Sequence, residues 1–206
     1  YRNGLQHREG DRPAKIVYTN DGIIQYWYRV GQIHREGDLP AEIRYNESGA
    51  IKGWYRDGHF HREGDLPAII WYHESGTIKS QCWWRDGLYR DGNEPARIWY
   101  YESGAIKAEE WYRDALLHRE DGPALICYYE CGTIQSQWWY RNGRNHRKGD
   151  GPAYIGYRED GTIMSQCWYS EGRLHREGDR PAQIEYSESG AMVSQSYYRH
   201  GIQVKP

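Results

Sequence analysis

The feature that most constrains this chain is a proline-alanine pair followed, nine residues after the proline, by a glycine. It occurs seven times. The prolines are Pro13, Pro40, Pro67, Pro95, Pro123, Pro152 and Pro181, and the glycines are Gly22, Gly49, Gly76, Gly104, Gly132, Gly161 and Gly190. An interval of 27 to 29 residues between prolines marks a tandem array, not one irregular domain. Between proline and glycine, Ala, Ile and Tyr alternate with changeable residues, as in PAEIRYNESG and PARIWYYESG. That is the period-two pattern of a strand with one constant face. NDG, ESG and EDG then predict a turn whose glycine sits as a bulge in the left-handed region.

A second strand follows. Five residues carry Gly22 to Trp27 and Gly49 to Trp54, whereas seven carry Gly76 to Trp83 and Gly104 to Trp111. A two-residue insertion keeps strand faces but would rotate a helix, which favours strand. This turn sets Tyr18 opposite Ile24 and Tyr72 opposite Ile78 on the constant face. On the other face it pairs Trp71 with Lys79, Trp99 with Lys107, Arg97 with Glu109 and, unfavourably, Arg44 with Lys52. Arg-Asn-Gly or Arg-Asp-Gly after Arg2, Arg56, Arg85 and Arg141 predicts a tight turn. The expectation is an all-β protein: an elongated, twisted, open antiparallel sheet of tandem β-hairpins, seven repeats of 27–29 residues in a single array over 1–206. Repeats begin near Tyr1, Tyr28, Tyr55, Trp84, Tyr112, Tyr140 and Tyr169, with a partial one from Tyr198. A lone hairpin is marginal, so neighbours must bury one another.

Composition agrees with a thin sheet. There are 20 Tyr and 10 Trp against one Phe, and mean hydropathy is −1.03. Tyr and Trp suit a surface dry on one side and wet on the other. A net charge of −2 argues against a nucleic-acid partner and disfavours a membrane surface. No run of 18 apolar residues is present to span a bilayer, and no secretory signal is visible, so a cytoplasmic location is expected. Cys82 and Cys167 share one slot three repeats apart, a packing pattern. Cys127 and Cys131 form a C-x3-C without partner ligands and read as free thiols. Neither a metal nor a cofactor is expected.

Connecting the repeats is a His-Arg-acid cluster: HREGDRPA at His7 and His175, HREGDLPA at His34 and His61, HREDGPA at His118, HRKGDGPA at His146 and YRDGNEPA at Tyr89. An active site needs its acid and base once, so seven near-copies read as scaffold. The arginine can serve strand carbonyls or nearby acids. No phosphate loop, G-x-S-x-G, H-E-x-x-H or convincing C-x-x-C is present, and no enzyme is expected.

Y-R-D-G-x-x-H-R-E-G-D-x-P-A, followed by E-S-G-x-I and W-Y-R, resembles the MORN-type repeats in a long, degenerate variant with an H-R-x-x-G-P-A connection. The resemblance covers residues 1–201. It implies antiparallel sheets acting as interaction modules: scaffolds, membrane-associated adaptors or, in bacteria, partners that neutralise a toxin. The repeat is longer than the usual MORN unit, so ligand contacts are not carried over.

In such an array, function lies where repeats differ. The second and fourth residues after each proline are mostly polar at the ends (Lys15/Val17, Glu42/Arg44, Gln183/Glu185) and apolar centrally (Ile69/Trp71, Leu125/Cys127). Trp71, Trp99 and Tyr154, with Trp83, Trp111 and Trp139 on the same expected face, form a candidate aromatic binding band containing Lys79 and Lys107. A large aromatic patch usually marks binding. The leading expectation is a non-enzymatic module that binds another protein as scaffold, adaptor or inhibitor. Glycan or small-ligand binding by Tyr/Trp stacking and peripheral membrane association are the alternatives.

Overall fold

The computed structural model describes residues 2–205; Tyr1, where the first repeat is expected to begin, and Pro206 lie outside the described residues. The protein is all-β, built of tandem antiparallel hairpins in chain order, with no helix among the described residues. It divides into two compact units, Tyr1–Arg90 with Ala96–Gly104, and Asp91–Pro95 with Ala105–Pro206. In the first, the long strands are Lys15–Thr19, Gly22–Tyr26, Glu42–Asn46, Gly49–Gly53, Ile69–Tyr72, Ile78–Cys82 and Arg97–Tyr100. The second holds Ile106–Glu110, Leu125–Tyr128, Ile134–Trp138, Tyr154–Tyr157, Ile163–Cys167, Gln183–Tyr186, Met192–Arg199 and Ile202–Val204.

Register separates the two faces. In the first compact unit one face carries the row Ile16, Gln25, Ile43, Lys52, Ile70, Gln81 and Ile98, each the partner of the next. In the second it carries Glu109, Ile126, Gln137, Ile155, Gln166, Ile184 and Gln195. Beside this ladder the repeated tyrosine hydroxyl donates to the preceding repeat: Tyr100 to Gln81 at 2.7 Å, Tyr128 to Glu109 at 2.6 Å, and Tyr157 to Gln137 and Tyr186 to Gln166 at 2.8 Å. The opposite face changes from repeat to repeat. Its central row reads Val17, Ile24, Arg44, Ile51, Trp71, Ser80 and Trp99, and in the other compact unit Ala108, Cys127, Ser136, Gly156, Ser165, Glu185 and Ser194.

The hairpin turns correct part of the expected register. In repeats one and two Gly22 and Gly49 are strand residues, so Tyr18 pairs with Ile23 instead of Ile24, and Arg44 with Ile51 instead of Lys52. The unfavourable cation pair is thereby avoided. From repeat three onward Tyr72 does pair with Ile78, and Gly76 at φ 85° closes a loop through its N–H to the His73 carbonyl. A β-bulge then lies between Ile78 and Ser80, so Trp71 pairs with Ser80 and not Lys79. The two inserted residues are thus one in the loop and one in the bulge. The W-Y-R stretch makes a second, two-residue hairpin in each repeat, such as Tyr28–Arg29 with Gln32–Ile33. Its turn takes positive φ at two successive residues, as at Asp57 (49°) and Gly58 (83°), the type I′ geometry.

The His-Arg connections clasp neighbouring repeats. Arg35, Arg62, Arg90, Arg119, Arg147 and Arg176 lie 3.8–4.7 Å over Trp27, Trp54, Trp83, Trp111, Trp139 and Trp168. Arg35, Arg62, Arg90 and Arg176 also pair with Asp11, Asp38, Asp65 and Asp150 of the preceding connection. The indoles of Trp27, Trp83, Trp111 and Trp168 donate to that connection's backbone. His61, His118 and His175 are buried; Nδ1 accepts the N–H of Asp86, Asn142 and His200 in the next turn, and Nε2 meets Glu63, Glu120 and Glu177 at 2.9–3.1 Å. The clasp closes over Ala41, Ala68, Ala124, Ala153 and Ala182, each 0% exposed.

This arrangement sets the acid limit of the fold. The hydrogen bond from Arg62 holds Asp38 below its ordinary value; those from Arg113 and His118 hold Glu120 down, and Arg176 does the same to Asp150. A carboxylate depressed in the folded state stabilises above its unfolded pKa and ceases to do so as pH falls through the folded one. The thermal midpoint is therefore expected to drop as pH is lowered below about 4. A midpoint at pH 3 equal to that at pH 7 would contradict these pairings.

Candidate functional site

The changeable face of repeats three and four carries the densest aromatic arrangement of the first compact unit. Trp71 and Trp99 flank Ser80 as its partners on either side. Arg97, two residues before Trp99 and so on the same face, lays its guanidinium 3.7 Å from the Trp99 ring centre and 5.4 Å from that of Trp71. Both rings are half-buried, and beneath them Ser80 is 0% and Cys82 1% exposed. Ser80 Oγ and Arg97 Nε are buried without a hydrogen-bond partner. A planar cation stacked on two indoles keeps them apart and fixes their orientation.

Along the same face runs a chain of rings: Tyr55–Phe60 at 4.3 Å, Phe60–Trp84 at 5.8 Å and Trp84–Tyr89 at 4.0 Å. Gly53 is required there, because a Cβ would lie 2.9 Å from Tyr55 and 3.3 Å from Phe60. Buried Glu42 accepts from Tyr55 at 2.6 Å and from Arg44 at 2.5 Å. Burial first, and then that hydrogen bond, push the Tyr55 phenol well above its ordinary range. In the second compact unit Trp138 pairs with Tyr154, ring centres 4.2 Å apart, and the Trp138 indole donates to Ser136. Burial lifts the Cys167 thiol to about 11, so it is a packed, unreactive group. All four cysteines are free thiols.

The expected site residues therefore separate. Trp71 and Trp99 come together through Arg97 and Ser80, and Trp71 does not face Lys79. Lys79 is exposed in the bulge, and Lys107 is an exposed residue of Ile106–Glu110. Tyr154 joins Trp138. Trp83, Trp111 and Trp139 are the clasp tryptophans: the bulge shifts each by one residue onto the constant face, where arginine covers it. Sequence reading paired Arg97 with Glu109 and counted neither it nor Trp138 among the site residues. Arg97 was legible as the i−2 neighbour of Trp99; in the Trp138-Trp139 pair only the bulge decides which ring faces which way. No family model matches this chain, and no curated protein matches it.

Proposed function

We propose that this chain is a non-enzymatic β-hairpin repeat module of the MORN type that binds another protein through its changeable face, as a cytoplasmic scaffold, adaptor or neutralising inhibitor. The supporting observation is the contrast between faces. One repeats its Ile/Gln ladder, Tyr hydrogen bonds and Trp–Arg clasp; the other varies and concentrates Trp71, Arg97 and Trp99 at one place. Tryptophan and arginine are the residues that most often anchor protein interfaces. Rings already oriented by Arg97 lose little freedom on binding. The Trp138–Tyr154 pair favours a second reading, a stacking platform for a sugar ring. Capture of one stoichiometric partner by the native chain, reduced with Trp71→Ala, supports protein recognition. Saturable tryptophan fluorescence change with sugars, and no such partner, supports the second reading.

A further inference from the structure

One crevice departs from the framework in charge. In repeats two, three and five the arginine of the short hairpin pairs with the glutamate of the next connection: Arg29 with Glu36 and Arg56 with Glu63 at 2.6 Å, Arg113 with Glu120 at 2.8 Å. In repeat six the same two places hold Arg141 and Lys148, both exposed. The clasp arginines on either side have lost their acids too. The connection preceding Arg119 carries Asn93 where other repeats have aspartate, and the connection preceding Arg147 is one residue shorter. Among the described residues none of Arg119, Arg141, Arg147 and Lys148 forms an ion pair. All four line a single crevice of about 300 Å³, with the Trp139 and Tyr140 rings in its wall.

Its two carboxylates do not cancel this excess. Glu120 already accepts from Arg113 at 2.8 Å and meets His118 at 3.1 Å, which leaves Asp121. Gly122 and Gly151 stand where repeats two and three carry Leu39 and Leu66, and a Cβ at Gly151 would lie 2.7 Å from Arg147 Nε. In the neighbouring crevices the other arginines are engaged: Arg35 and Arg62 pair with aspartates, and in the next crevice, which Arg147 and Lys148 also line, Arg176 and Arg180 both reach Asp150.

We propose that this crevice binds a phosphate monoester, its dianion held by Arg119, Arg141, Arg147 and Lys148 and its organic group against Trp139 and Tyr140. Guanidinium forks match the tetrahedral oxygens, and two negative charges suit a site with two more cations than carboxylates. Burial also holds the Arg147 guanidinium below its ordinary value, as expected of a desolvated cation awaiting a counter-charge.

The test is calorimetric titration of the full chain with phenyl phosphate, inorganic phosphate and acetate at pH 7.5. Phenyl phosphate is expected to bind with a dissociation constant below about 1 mM, inorganic phosphate more weakly and acetate not measurably. Lys148→Glu restores the framework pair with Arg141, so it should weaken phenyl phosphate at least tenfold while leaving the thermal midpoint unchanged or higher. Lys15→Glu, an equal charge change on an exposed residue outside the crevice lining, should leave binding unaltered. No saturable binding, acetate as good as phosphate, Lys148→Glu binding like the native chain, or an equal loss in Lys15→Glu would each overturn the assignment.

Discussion

Trp111→Ala is expected to lower the unfolding free energy by about 3–5 kcal/mol, the range for emptying a buried indole site. Trp111 is 4% exposed, its indole donates to the Asn93 carbonyl at 2.9 Å, and Arg119 covers its face. Alanine would remove the ring, orphan the carbonyl and expose the stem of Arg119 together. Trp111→Phe keeps most of the ring and loses the hydrogen bond, about 1 kcal/mol before repacking. Urea denaturation measures both. An alanine variant within about 1 kcal/mol of the native chain would show that the clasp does not hold the repeats together.

The second large effect concerns recognition. Trp71→Ala and Trp99→Ala should each cost about 2 kcal/mol of partner affinity, roughly 30-fold. The rings are half-buried over Ser80, so stability should also fall, by about 1–2 kcal/mol and less than for Trp111. Arg97→Lys separates the roles: charge is kept, the planar stack between indoles is lost, and affinity should drop with little change in unfolding. Unchanged affinity in both tryptophan variants, with a large fall in melting temperature, would leave the rings as structure alone.

How far the chain could be read in advance follows from which residues carry period-two information. Ala, Ile and Tyr after each proline announced the strands and their constant face, and the W-Y-R-x-G stretches announced the short hairpins. What one dimension hides is a bulge. A single extra residue between Ile78 and Ser80 moves Lys79 out of line with Trp71 and places Trp83 on the constant face. The expected aromatic band therefore divides: Trp71 and Trp99 stand together, while Trp111 and Trp139 lie under arginine. The recurring histidine was legible as scaffold from its repetition. Its Nδ1 partners were not, because they sit 23 to 25 residues further along the chain.

The clasp also has a mechanical consequence. Each repeat is fastened to the one before by the same few contacts, so a chain pulled from its ends should come apart as a zip of similar teeth. Every released repeat of 27 to 29 residues would lengthen the tether by about 90–100 Å. Asn93 removes the acid that would grip Arg119, so that tooth should let go at lower force than those fastened by Asp11 or Asp38.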